Sequence, residues 1–89
     1  MKNCTEQTVS KLKLAQKYIE RAIAILQKDS LSLSIIEQSK KAQVLLEEAN
    51  GLLAKDHSEN CIADLIRKGI MDEAEIEIKR LSKYNLLKI

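Results

Sequence analysis

Apolar residues recur at steps of three and four along the chain, the period of a helix with one buried face. Leu12, Ala15, Ile19, Ala22 and Leu26 form one stripe, and Leu14, Tyr18 and Ile25 a second. The spacing predicts a first helix over about residues 6–28, covered on two sides. Lys13, Lys17 and Arg21 fall at four-residue steps on another face, so their cations line up in a row. Asp29-Ser30-Leu31-Ser32-Leu33-Ser34 breaks the pattern with side chains that compete for backbone hydrogen bonds. Ser34 and Glu37 have the capping-box spacing, so a second helix is expected to begin there or slightly earlier. It continues through Ile35, Ala42, Leu46, Ala49, Leu53, His57, Cys61 and Leu65, a span of about 33–68. Gly51 weakens it by about 1 kcal/mol relative to Ala. Lys68-Gly69 is a typical ending, with cations in the last turn and a glycine free to go left-handed. A short third helix is expected over about 72–83, with Asp72, Glu73 and Glu75 at its positive end and Met71, Ala74, Ile78 and Leu81 as a narrow seam. Residues from Tyr84 to Ile89 read as a tail.

The fold class is therefore all-α, three helices in a single domain over residues 1–89. Composition changes the picture in one respect. The chain has no proline and two glycines, and its only aromatics are two tyrosines, so the core must be built from Leu, Ile, Val and Ala. A domain this small hides only roughly 60% of the surface its unfolded chain exposes. Yet 45% of the residues are hydrophobic. An antiparallel helical bundle formed by a homodimer, or a dimer of dimers, accommodates that excess; a compact three-helix monomer is the alternative.

Net charge is +2, but it is unevenly spread: residues 1–28 carry +4, residues 29–66 carry −4 and residues 67–89 carry +2. A basic first helix before an acidic second suits a nucleic-acid surface, although solvated helix faces produce the same pattern. No stretch has the roughly 18 apolar residues of a membrane span, and no signal-peptide segment follows Met1-Lys2-Asn3-Cys4. The expected location is the cytoplasm, where Cys4 and Cys61 would be thiols.

His57 and Cys61 are four apart on one helix face, within reach of a single ion. Imidazole and thiolate suit Cu(I) or Zn(II), and imidazole also suits Ni(II) or Co(II). Two ligands do not complete a tight site; a symmetric oligomer would supply others from a second chain. The same pair also arises by chance, as a surface histidine and a small apolar cysteine. With no Gly-rich phosphate loop and one histidine among scattered serines, no enzyme is indicated.

Several pieces together are similar to the copper-sensing operon repressor family, small helical bacterial DNA-binding repressors with relatives that answer to nickel or cobalt, formaldehyde or reactive sulfur. The pieces are Lys11-Leu12-Lys13, Asp29, Ile35-Ile36-Glu37-Gln38, Asp56-His57-Ser58-Glu59-Asn60-Cys61, Ala63-Asp64-Leu65-Ile66-Arg67-Lys68-Gly69 and Asp72-Glu73-Ala74, matched without gaps over most of the chain. The resemblance implies that His57 and Cys61 are metal ligands shared with a partner subunit and that Glu77 supports them from behind. The family's third ligand, a cysteine, is Ser32 here, a poor donor to a soft ion, and the Tyr that often precedes it is Leu31. In some relatives the N-terminal segment approaches the site, so Cys4 is a candidate replacement thiolate. The resemblance also implies that double-stranded DNA binds along the first helix, through Lys11, Lys13, Lys17 and Arg21. Glu20 stands where an Arg is usual and Lys17 where a Gly is usual, which favours phosphate binding over base reading.

Three readings result. The first is a transcriptional repressor responding to a metal at an inter-subunit His/Cys site that lacks the usual cysteine. The second is a thiol-based sensor in which Cys61 reacts with persulfide, oxidant or aldehyde. The third is an oligomeric helical interaction module that has lost sensing.

Overall fold

The computed structural model describes residues 2–28 and 32–86. Asp29, Leu31 and the end of the tail, all used in the sequence reading, lie outside them. The chain is all-α. Its elements are α1 (Lys2–Gln27), α2 (Leu33–Asp56), a π-helical turn (His57–Ile62), α3 (Ala63–Arg67) and α4 (Met71–Lys83). α2, the π turn and α3 follow without a break, so they make up the second of three helices, and no strand occurs among the described residues. No helix among those residues is long and apolar enough to cross a membrane.

Two boundaries differ from expectation. α1 begins about a turn early, at Lys2; nothing in its first residues breaks a helix, and half-buried Cys4 and buried Thr8 anchor the added turn. At the start of α2 the Ser32 carbonyl accepts the Ile35 N–H (3.1 Å). Ser32 thus stands ahead of the first helical residue, and Ser34 lies inside the helix instead of capping it.

The chain divides into two compact units, residues 2–49 and residues from Asn50 onward. The first is a helical hairpin. Its antiparallel register is fixed by two cross-helix pairs, Lys11 with Glu48 and Tyr18 with Lys41. Both are symmetric about the same point, between residues 29 and 30. Its buried positions are small: Thr8, Ala15, Ala22, Ala42 and Ala49. Alanine seams let two helix backbones approach closely, but they bury little apolar area per residue.

The expected stripe on α1 is therefore split. Ala15 and Ala22 go inside, while Leu12, Ile19, Ile23 and Leu26 keep between 42% and 50% of their surface exposed. At 3.6 residues per turn these four lie about 50° round from the alanine row. On α2, half-buried Ile35 and exposed Leu46 lie about 40° round from Ala42 and Ala49. Because the helices are antiparallel, equal senses of rotation bring both groups to one side of the hairpin. At its closed end Leu26, Leu33, Ile35 and Ile36 line an open, apolar cavity of about 450 Å³, with Ser32 at its edge. Lys13, Lys17 and Arg21 lie roughly 150° further round α1, on the other side.

In the second unit α4 packs against both the π turn and α3, with Ile62 and Ala74 buried; Ala54, near the end of α2, is buried too. α3 ends in a Schellman motif. Ile70 N–H donates to the Leu65 carbonyl (2.9 Å) and Gly69 N–H to that of Ile66 (3.0 Å), with Gly69 at φ 76°. The same motif closes α4: Leu86 N–H reaches Leu81 and Asn85 N–H reaches Ser82, both at 3.0 Å, with Asn85 at φ 57°. The first residues of the expected tail are thus a helix cap. Lys68 donates to Asp64 at 2.9 Å. That hydrogen bond and charge, aided by Arg67, hold the Asp64 carboxyl below its ordinary range.

Candidate sensing site and cationic surface

His57 and Cys61 both lie in the π turn. The turn is defined by backbone bonds reaching five residues back, and at its end the Ala63 N–H is shared between the carbonyls of Ser58 and Asn60. In an α-helix Cys61 would stand just past one full turn from His57. The wider π turn leaves it just short of one. A side-chain bond from Asn60 Nδ2 to Asp56 Oδ1 (2.8 Å) spans the junction with α2.

The second unit's fold gives His57 a partner that sequence spacing does not show. Glu77, on α4, places Oε2 3.0 Å from His57 Nε2. Its other oxygen lies 3.9 Å from Arg80 Nη1. With a proton on Nε2 the ring donates to this carboxylate, and in the neutral imidazole Nδ1 is then the nitrogen with a lone pair for a ligand. His57 and Glu77 are part-buried, and Cys61 is an exposed thiol.

The described residues of one chain do not bring together a full metal-ligand set. Among the described residues no group of three or more His, Cys, Asp or Glu side chains is placed to hold an ion. The donors that share a turn are His57 and Cys61, two where a soft ion needs three or four. Ser32 is exposed and belongs to the hairpin unit. Cys4 also belongs to that unit, half-buried on α1, with its sulfur 3.9 Å from the Thr8 hydroxyl.

The four cations of α1 differ from one another. Lys11 is half-buried and its ammonium is held by the Glu48 carboxylate. Lys13, Lys17 and Arg21 are exposed and lie in no ion pair among the described residues. Arg21 sits over the Tyr18 ring, 5.4 Å from its centroid, and Lys41 of α2 lies 5.5 Å from the same centroid. Lys41 and Tyr18 were not singled out by sequence reasoning as members of the basic surface. The cue available was that Lys40-Lys41 is the one pair of adjacent lysines in an otherwise acidic stretch. Glu20, also exposed, joins no ion pair among the described residues.

Comparison with protein-family models, with curated proteins and with solved structures finds no match to this chain.

Proposed function

We propose that this protein is a DNA-binding transcriptional repressor that acts as a dimer, or a dimer of dimers, in the cytoplasm. A metal ion held between subunits by His57 and Cys61 would weaken its grip on DNA. The observation that carries the reading is the π turn. Such turns are rare and occur frequently at functional sites. This one holds an imidazole and an exposed thiol, and passes the imidazole to a carboxylate on α4. Glu77 fixes the orientation of the ring, as outer partners of metal-bound histidines do. The apolar side of the hairpin supports self-association. Two chains meeting there would bury Leu12, Ile19, Ile23, Leu26 and Leu46, which one chain leaves exposed. An ion joining His57 and Cys61 to a donor of a second chain would bind one arrangement of the subunits better than another, and that difference is what couples it to DNA.

The test is a titration of the reduced protein with Cu(I), Zn(II), Ni(II) and Co(II), with duplex binding followed in parallel. One metal is expected to bind tightly and to lower DNA affinity by roughly 5–150-fold. Cys61→Ala should abolish the effect, and Glu77→Gln should weaken metal binding by about 10–100-fold. Unchanged affinity in Cys4→Ala would remove Cys4 from the ligand set. Failure of every metal to bind would overturn the metal reading.

The exposure of Cys61 supports a second reading, a thiol-based sensor that responds to persulfide, oxidant or aldehyde. It requires a Cys61 adduct in the intact protein's mass and loss of DNA binding with it. A protein that shows neither response would be an interaction module.

A further inference from the structure

We propose that Tyr18, Arg21 and Lys41 form a single phosphate-binding platform across both helices of the hairpin, so that α2 and not α1 alone contacts the DNA backbone. The inference rests on the DNA-binding reading above and names contact residues within it.

Its basis is a cluster of three side chains. Arg21 and Lys41 both lie within 5.5 Å of the Tyr18 centroid, a range in which each is attracted by the electron-rich ring. The ring thereby engages two exposed cations from different helices. No carboxylate among the described residues forms an ion pair with either. Elsewhere on the chain the cations of Lys11, Lys68, Lys79 and Arg80 each have a carboxylate within 4 Å. A phosphate oxygen at the platform would supply the counter-charge that Arg21 and Lys41 lack among the described residues. Lys13 and Lys17, at four-residue steps before Arg21, extend the same positive edge along α1.

The two-sidedness of the hairpin selects the kind of polyanion. A helix that lies on a membrane needs apolar residues beside its cations, so that one sinks while the other meets the headgroups. Here Leu12, Ile19, Ile23, Leu26 and Leu46 lie on the opposite side from Arg21 and Lys41; beside the cluster only Leu14 and Val44 are exposed apolar residues, 41% and 43%, one on each helix and not a continuous apolar face. A nucleic-acid backbone demands charge without insertion, and it remains reachable when the apolar side is covered by another chain.

The experiment is fluorescence anisotropy of the full chain with a short random-sequence DNA duplex, repeated over a series of potassium chloride concentrations. Each phosphate contact contributes about 0.9 to the slope of log affinity against log salt. Lys41→Gln is expected to lower the slope by about 0.9 for each Lys41 engaged, and Lys41→Arg to keep it. Lys79→Gln, on α4 and paired with Glu75, should match wild type. Helicity by circular dichroism checks that each variant folds. If wild type does not bind the duplex at low salt, the DNA reading fails and the platform with it. If wild type binds and Lys41→Gln keeps the full slope, the platform alone is overturned. Binding to phosphatidylcholine–phosphatidylserine vesicles in preference to the duplex would also overturn it.

Discussion

At the scale of single residues, the two glycines give opposite predictions for the same substitution. Gly51 lies inside α2, in its last third, and a Cβ added there meets nothing within 4 Å. Gly51→Ala should stabilise the protein by about 0.5–1 kcal/mol, because alanine loses less backbone entropy in a helix. Gly69 also has open space around it, but its φ of +76° is a conformation that L-residues resist. Gly69→Ala should destabilise by about 1–2 kcal/mol. Thermal unfolding of both variants at one protein concentration would show the midpoints moving in opposite directions. If both rose, the left-handed cap at the end of α3 would not form in solution.

At the scale of elements, α3 carries a small pH response. Asp64 precedes Lys68 by four residues, the favourable order for an acid–base pair on a helix. Its folded carboxyl titrates below the ordinary value of about 3.9. The stabilisation is therefore present above that value and is lost as the pH falls through the lower, folded one. Asp64→Asn should unfold at a slightly lower temperature than wild type at neutral pH, and the gap should close in acid. Because both groups are exposed, added salt should shrink it too. An undiminished gap at low pH would show that the pair does not cause it.

The elements also show what a sequence can reveal. The three helices follow from the three- and four-residue period, and the end of α3 from Lys68-Gly69, because these depend on neighbours close in the chain. The π turn has no such mark. His57-Ser58-Glu59-Asn60-Cys61 would read equally well as α-helix, and its widening involves backbone bonds that side-chain type does not report. The pairing of Lys11 with Glu48, the approach of Lys41 to Tyr18 and the contact of His57 with Glu77 arise from how helices meet. Periodicity places each residue on a face but does not say which residue of another helix it will face. For the same reason the α1 stripe read as one surface, although the alanine seam turns half of it outward.

At the scale of the whole molecule, exposed leucines and isoleucines on one side of a hairpin predict association. Thermal midpoints should rise with protein concentration, as for any fold completed by a second copy. Ile23→Asp, in the middle of that surface, should shift the mass measured by light scattering from dimer or tetramer to monomer, with most helicity kept. A wild-type protein that stays monomeric at high concentration would refute the proposed interface.

The hairpin's two sides have one more consequence. Chains that join through their apolar sides must turn their Tyr18 clusters away from each other. If those clusters grip DNA as proposed, such a dimer would be bivalent, with grips facing in opposite directions, and a single flat stretch of duplex would not satisfy both. It would instead bridge two segments, folding one molecule into a loop or tethering two together. The second grip would act at an effective concentration set by the DNA between the segments.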